Sequence, residues 1–497
     1  MPRMAVCRLI ATTGVAALFL SAQAMAGQAR LTISSGKTKN LQCSAGVCAP
    51  TATSAVLNVR DLETMLASGN VEVTTTGAGV QANDIQFDAP FSWLGTNTLW
   101  LDAYANILIA ESITVKGAGG LTLTSGTGNT LFFAGKGDVN FKKLSSVLTI
   151  NGNTYALVND IAALAGDIAS NPAGDYAFAR NYNAARDGTY SEAPITTPFT
   201  GIFEGLGHRI SNLTIDYSGP TGGIGLFSEV ESSPGWLRDI GLPNANIAVV
   251  GETNETYWAG ALAGTMLDAG VFNAYATGSV AISGAGSSNY VGGLIGAYGA
   301  IYNSRAVDSV TATSSGNVVA GGLVGEYSFV SDSYATGSVT AQSDSGFVSA
   351  GGLVGCDGIY KCDISNSYAT GDVSASTGSS TGIAAAGGLA GSQAQAGSIS
   401  TSYSTGTAAA SGAGTDYAGG SVGWNAYGEG TFTDVYWDTT TSGIDTGVGS
   451  GSYSGVTGLT TLQLQSGLPA GFQSSVWREK SKINGGLPYL IANPPGR

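Results

Sequence analysis

The chain has 497 residues, of which 75 are glycine, 43% are hydrophobic and 11% are charged. That apolar, charge-poor balance excludes a disordered chain, and a formal net charge of −14 excludes the basic footprint of a nucleic-acid binder. One histidine and five cysteines argue against a histidine-based active site or a zinc centre.

Residues 1–26 read as a signal peptide. Arg3 and Arg8 give the basic start, Leu9 to Leu20 the apolar core, and Ala24-Met25-Ala26 a small-residue cleavage site. The apolar core is too short for a membrane span, and no later segment has the length and apolarity of one. The mature chain, from about Gly27, is therefore expected outside the cell or at its surface, with a separate secretion or anchoring partner. Its four cysteines form two local pairs, Cys43 with Cys48 and Cys356 with Cys362. In an exported chain these suit structural disulfides. Free thiols are the alternative, and zinc is disfavoured by the distance in sequence to His208.

Residues 27–150 read as an N-terminal β-helical region. Val71 to Gly77, Thr98 to Ile109, Ser112 to Gly117 and Leu121 to Gly126 alternate apolar with polar and end at Gly or another turn residue. One helix, Arg60 to Ser68, interrupts them, with Gly69 as its stop. Residues 151–250 read as a continuation with an insertion. The spacing predicts a helix over Tyr155 to Ala169, a long excursion from Asn171 to Pro198, and strand-turn-strand from Phe199 to Asp216. Residues 439–497 read as a C-terminal cap with a short helix from Thr460 to Gln465.

Residues 251–438 carry the repeats. AGGLVG (Ala320 to Gly325) has copies at Trp258 to Gly264, Tyr290 to Gly296, Ala350 to Gly355, Ala386 to Gly391 and Ala418 to Gly423. Each is followed by a second half such as SDSYATGSV (Ser331 to Val339). Copies lie roughly 29 to 36 residues apart, a solenoid spacing. Aligned copies give a polar column (Asn273, Asn303, Asp332, Asn366, Thr401, Asp434), an aromatic column (Tyr275, Tyr334, Tyr368, Tyr403, Tyr436, with Arg305 in the odd place) and a glycine column (Gly278, Gly337, Gly371, Gly406, with Asp308 in the odd place). Stacked amides would hydrogen-bond along the axis and stacked tyrosines would cover one another. The glycine column implies a turn with positive φ, which Asp308 tolerates. Alternation groups Ile364, Asn366 and Tyr368 on one side and Ser365, Ser367 and Ala369 on the other; either side suits the interior.

These repeats resemble the GLUG-motif family of large bacterial surface proteins. Ser68 to Gly77 and Ile107 to Asn129 look like the filamentous-haemagglutinin type of β-helical repeat, Phe199 to Ile215 looks like the strand pair that commonly precedes GLUG repeats, and Val435 to Gly443, Thr457 to Leu464 and Asn484 to Leu490 are similar to the usual ending of GLUG chains. The resemblance implies an extracellular right-handed parallel β-helix with an adhesin-like role and offers no catalytic residues. Arg305, Asp308 and Ser421 depart from its pattern.

The expected fold is thus all-β, a right-handed parallel β-helix with a few short helices. The expected function is adhesin-like binding of an extracellular glycan or surface protein by a repetitive face, without enzyme activity or cofactor. A carbohydrate-active enzyme is the rival, because parallel β-helices also host polysaccharide lyases and hydrolases; its best local group is Arg305, Asp308 and Asp332. A ligand-free structural protein is a further alternative. Arg305 and Asp308 stand out as a contact spot. Exposed tyrosines could stack on sugars, whereas a self-stacked ladder would be structural. His208 reads as packing or surface, and Gly378 to Gly382 fits the letter of a nucleophile elbow without its strand-to-helix setting.

Overall fold

In the computed structural model, short strands wind into a parallel β-solenoid of about 11 turns, with three short α-helices among the described residues. It describes residues 29–126, 131–231, 235–326, 328–357, 359 and 361–496. The expected signal peptide lies outside them.

One coil of the repeat region shows how the sequence period becomes a rung. Its strands are Ala300–Tyr302, Arg305–Ala306, Ser309–Ser314, Asn317–Gly321 and Val324–Glu326, which belong to the first, second, third, fourth and fifth ladders in turn. Counterparts in successive coils pair in parallel and in register, so that Val280, Val310, Val339 and Val373 form one line. Alternation sends Val310 and Ala312 inward and leaves Ser309, Thr311 and Thr313 exposed.

Glycine sets the tight corner between the fourth and fifth ladders. A Cβ on Gly292, Gly321, Gly351, Gly387 or Gly419 would stand 1.9–2.0 Å from the carbonyl oxygen three residues on. One on Gly293, Gly322, Gly352 or Gly388 would stand 2.1–2.4 Å from the carbonyl of the equivalent glycine in the next coil. The third glycine lets the fifth ladder lie against the fourth: at Gly355 a Cβ would meet the Val319 side chain at 2.7 Å. None of these glycines has positive φ. The repeat selects glycine for its missing side chain.

The same holds for most of the glycine column, which corrects the expected turn. Only Gly278 has positive φ there (135°). Gly337, Gly371 and Gly406 instead lie under the carbonyl of the preceding coil, where a Cβ would come within 1.7–1.9 Å of it. Positive φ belongs to the polar column: Asp239, Asn273, Asn303, Asp332, Asn366, Thr401 and Asp434 all lie between 43° and 53°. Asn and Asp tolerate that conformation best among residues with a side chain.

The N-terminal region is a shorter solenoid with its own closure. Arg30–Ser34 lies between Ser54–Asn58 and Asp84–Phe87 in one ladder, so the first described strand lies one rung in and the chain doubles back from it to form the end. The antiparallel hairpin Leu41–Ser44/Val47–Pro50 and α1 (Val59–Ser68) complete that end. Asn58 caps α1, accepting the Arg60 N–H at 2.8 Å, and Leu62 and Leu66 are buried. Cys43 and Cys48 face each other across the hairpin and are disulfide-bonded, as are Cys356 and Cys362.

Leu148–Ile150 then turns through Asn151-Gly152 and pairs antiparallel with Asn153–Val158. Both turn residues have positive φ, 48° and 87°, as a two-residue type I′ hairpin requires. The expected helix is therefore shortened to α2 (Ile161–Ser170), capped by Asp160. Within the expected excursion, Tyr176–Phe178 pairs with Asn153–Val158 and with Ile202–Glu204, and Tyr182–Asn183 pairs with Ile210–Ser211; the stretch from Ala184 to Pro198 is irregular apart from a short 3-10 turn and isolated bridges at Tyr190 and Ile195. At the junction, the Val139 and Phe141 N–H groups donate to the carbonyls of Leu206 (3.1 Å) and Ala179 (2.9 Å). His208 is buried there and donates Nε2–H to the Val139 carbonyl at 2.8 Å. Burial holds its pKa below the usual imidazole value. Leu108 and Phe132 pack outside the coil against Phe272 and Tyr302, fixing one solenoid to the flank of the next.

Gly352→Ala should destabilise the chain by about 2–3 kcal/mol, because its Cβ meets backbone that cannot withdraw. Gly69→Ala, with nothing within 4 Å and an extended φ of −177°, should be close to neutral. Urea unfolding of both variants checks the contrast.

Candidate functional site

The polar column sits at the corner between the first and second ladders, and the tyrosine column follows it on the second. Asn273 Nδ2 donates to Asp239, Asn303 Nδ2 donates to Asn273 Oδ1 at 3.3 Å, and Thr401 donates to Asn366 Oδ1 at 2.7 Å. Asn366 also hydrogen-bonds to Asp332. Beside this column runs a serine column that the sequence reading missed: Ser304, Ser333, Ser367 and Ser402, all fully buried. Each hydroxyl accepts the backbone N–H of the equivalent residue in the preceding coil at 3.0–3.2 Å. Each also donates to the carbonyl two residues back at 2.6–2.8 Å. The corner's buried N–H groups are thereby satisfied where ladder pairing is interrupted.

The left-handed residue also breaks the expected alternation. Ile364 points into the core, yet Tyr368, four residues on, points out, and Ala369 returns inward. The outward tyrosines stack, Tyr334 on Tyr368 at 4.8 Å and 10°, Tyr368 on Tyr403 at 5.2 Å and 6°.

They are nonetheless buried, because the C-terminal segment after α3 (Thr461–Leu464) runs back along them. Leu464, Phe472, Trp477 and Leu490 form one apolar cluster with Tyr334, Tyr368, Tyr403 and Tyr436. Tyr403 donates to the Pro488 carbonyl at 2.6 Å and accepts from Asn484 at 2.7 Å; Tyr436 donates to the Ala470 carbonyl at 3.0 Å. The expected cap thus closes a side as well as an end. Burial raises the Tyr368 and Tyr403 phenol pKa values, so both stay neutral.

Arg305 marks where this cover stops. Its guanidinium lies 4.4 Å from the Tyr275 ring centroid and Nη1 donates to Asn493 Oδ1 at 3.2 Å. Asn493 Nδ2 in turn donates to the Ser304 carbonyl at 3.0 Å. Asp308 is fully buried inside the coil, both its carboxyl oxygens lack a hydrogen-bond partner, and burial pushes its pKa up to about 8. Asp332 is held by Ser331 and Asn366, with burial raising it to about 6. The expected Arg305–Asp308 contact spot is therefore corrected: one partner holds the C-terminal segment, the other is inside. Arg305, Asp308 and Asp332 do not converge on a groove.

Two other carboxyl pairs escaped the sequence reading. Glu204 and Asp239 are buried and hydrogen-bonded to each other. Buried Glu326 is hydrogen-bonded to Asp357, and burial followed by that neighbour raises it to about 10. Among the described residues no group of three or more His, Cys, Asp or Glu could hold a metal, and no helix is long and apolar enough to cross a membrane.

Fold and columns define a parallel β-solenoid repeat protein with one face sealed by its own C-terminal segment. No family model matches the chain. It is 33% identical over 255 residues to Halomucin of Haloquadratum walsbyi (strain DSM 16790 / HBSQ001); the overlap covers 48% of this chain and 2% of that relative, so the chain spans a small fraction of Halomucin's length. Among solved structures, a provisionally assigned immunoglobulin A1 protease from Bacteroides ovatus overlaps with a TM-score of 0.41 and 17% identity, over 68% of this chain and 92% of that one.

Trp477→Ala should cost about 3–5 kcal/mol, as for other large buried aromatics, and should bring the tyrosine column into water. Thermal unfolding with near-ultraviolet circular dichroism reads both. Asp308 is protonated in the fold and ionises near its ordinary value when unfolded. Its contribution is thus fully present below about pH 4 and is lost as pH rises towards 8. Asp308→Asn should match the parent chain near pH 4 and exceed it by on the order of a few kcal/mol at pH 8, measured by denaturant titration at both values.

Proposed function

We propose that this chain is an extracellular or cell-surface binding protein, exported and then held by a separate partner, that contacts glycans or surface proteins through a repeated face. The observation that carries this is the division of the solenoid surface. The tyrosine face is taken up by the chain's own C-terminal segment, while the third ladder presents exposed polar side chains on successive equivalent rungs. Weak contacts repeated along a rigid face add through effective concentration. The two formed disulfides suit an oxidising compartment, and part of the chain is similar to a stretch within a much longer protein, Halomucin.

The carboxyl geometry favours binding over glycan cleavage. Glycosidases hold two carboxyls about 5–10 Å apart across an accessible bond. Glu204 with Asp239 and Glu326 with Asp357 are instead hydrogen-bonded to each other, and three of the four are buried. Incubation of the purified chain with cell surfaces and a glycan array, alongside a reducing-sugar assay, tests the proposal. Retention without sugar release is expected. Release would establish the enzyme instead, and no retention on any surface would leave a structural role.

A further inference from the structure

We propose that the outward side of the third ladder binds a neutral, extended polysaccharide laid along the solenoid axis; this rests on the binding role above and gives it a place and a ligand class. In Ser309–Ser314, Val339–Ser343 and Val373–Thr377 the inward positions are filled by valine, alanine and bonded hydroxyls, and the outward ones by short polar side chains. Thr311, Thr340 and Ser374 are direct neighbours on successive rungs, and so are Thr313, Gln342 and Ser376. Parallel pairing sets the rungs about 4.8 Å apart, and two residues along a strand span about 6.6 Å. The result is a flat grid of hydrogen-bonding groups.

What distinguishes this grid from the other polar columns is that its hydrogen bonds are unspent. The buried serines of the second ladder bond to backbone on two sides, and the inward Ser314, Ser343 and Thr377 each donate to a carbonyl. Thr311, Thr340, Ser374, Thr313, Gln342 and Ser376 make no side-chain hydrogen bond among the described residues; five of the six are exposed and Ser376 is half-buried. Polar groups of this kind, held in ranks on a rigid sheet, match a ligand that offers hydroxyls at regular intervals.

Charge and shape narrow the ligand. Between Arg238 and Arg478 the chain has two basic residues, Arg305 and Lys361. Arg305 is taken up by Tyr275 and Asn493, and Lys361 pairs with Asp363 at 3.1 Å. With no cation on the grid and a net charge of −14, an anionic glycan would be repelled. The grid also carries no aromatic or large apolar side chain to act as the buried anchor of a protein interface. A neutral polyhydroxyl chain remains as the fitting occupant.

The test uses the mature chain with microcrystalline cellulose, a soluble neutral mannan and polygalacturonate as probes. Retention on at least one neutral probe, unchanged by added salt, is expected. The triple variant Thr311→Ala, Thr340→Ala, Ser374→Ala should weaken retention by about tenfold or more, with an unaltered unfolding midpoint because all three sites are exposed. Thr340→Glu, which keeps the sheet and adds a charge, should weaken it similarly. Equal retention of parent and triple variant would overturn the inference, as would salt-sensitive retention on polygalacturonate alone. Cell-surface binding without any neutral-glycan binding would remove the ligand assignment and leave the binding role standing. Loss of both would remove both.

Discussion

The contact between a glycine and a neighbouring carbonyl oxygen governs the solenoid. At the corner joining the fourth and fifth ladders, main chain lies on main chain with no room for a β-carbon, both within a coil and between coils. A methyl group there would have to push whole strands apart, and strands stacked in register cannot yield one at a time. The corner therefore fixes how closely the two ladders approach and, through them, the width of the coil. Valines, alanines and leucines fill what remains: Val310, Ala320, Leu323 and Val324 are all essentially without exposure. Apolar burial drives the assembly, and glycine decides which assembly is sterically open.

Satisfying the backbone is the second requirement. A solenoid must turn several times per coil, and each turn interrupts the ladder. Here the non-glycine residues at positive φ are mostly Asn and Asp, and the serines beside those of the polar column supply the donors and acceptors that the interrupted ladder lacks. The polar columns are thus structural parts of a closed interior, and so are the tyrosines once the C-terminal segment covers them. The hydroxyl grid of the third ladder stands apart from both, since neither packing nor backbone satisfaction explains its ranks.

Much of this was legible in the sequence. Repeat spacing and columns led to the parallel solenoid, and cysteine spacing to both disulfides, because each depends on local regularity. The polar column was recognised, but its conformation was assigned to the neighbouring glycines; glycine serves equally for positive φ and for close approach, and sequence alone does not separate the two. Counting alternation through Asn366 placed Ile364 and Tyr368 together because a single left-handed residue shifts the phase. The Asn151-Gly152 reversal carried a strong hairpin signal that was passed over in favour of continuity. The cover over the tyrosines was out of reach, since Trp477, Leu490 and Asn493 belong to no repeat and meet their partners 74 to 189 residues away in the chain.

Stacked repeats couple chiefly to their nearest neighbours, so such rods tend to fray coil by coil from an end. The returning C-terminal segment alters that behaviour. It touches Ser304 and Arg305 near one limit and Tyr436 near the other, bracing every intervening coil against a common beam. None of those coils can loosen without straining the same thirty-odd residues of chain (roughly Thr461 to Asn493) that all the others share. A stretch that would otherwise behave as a string of small cooperative units is thereby made into one.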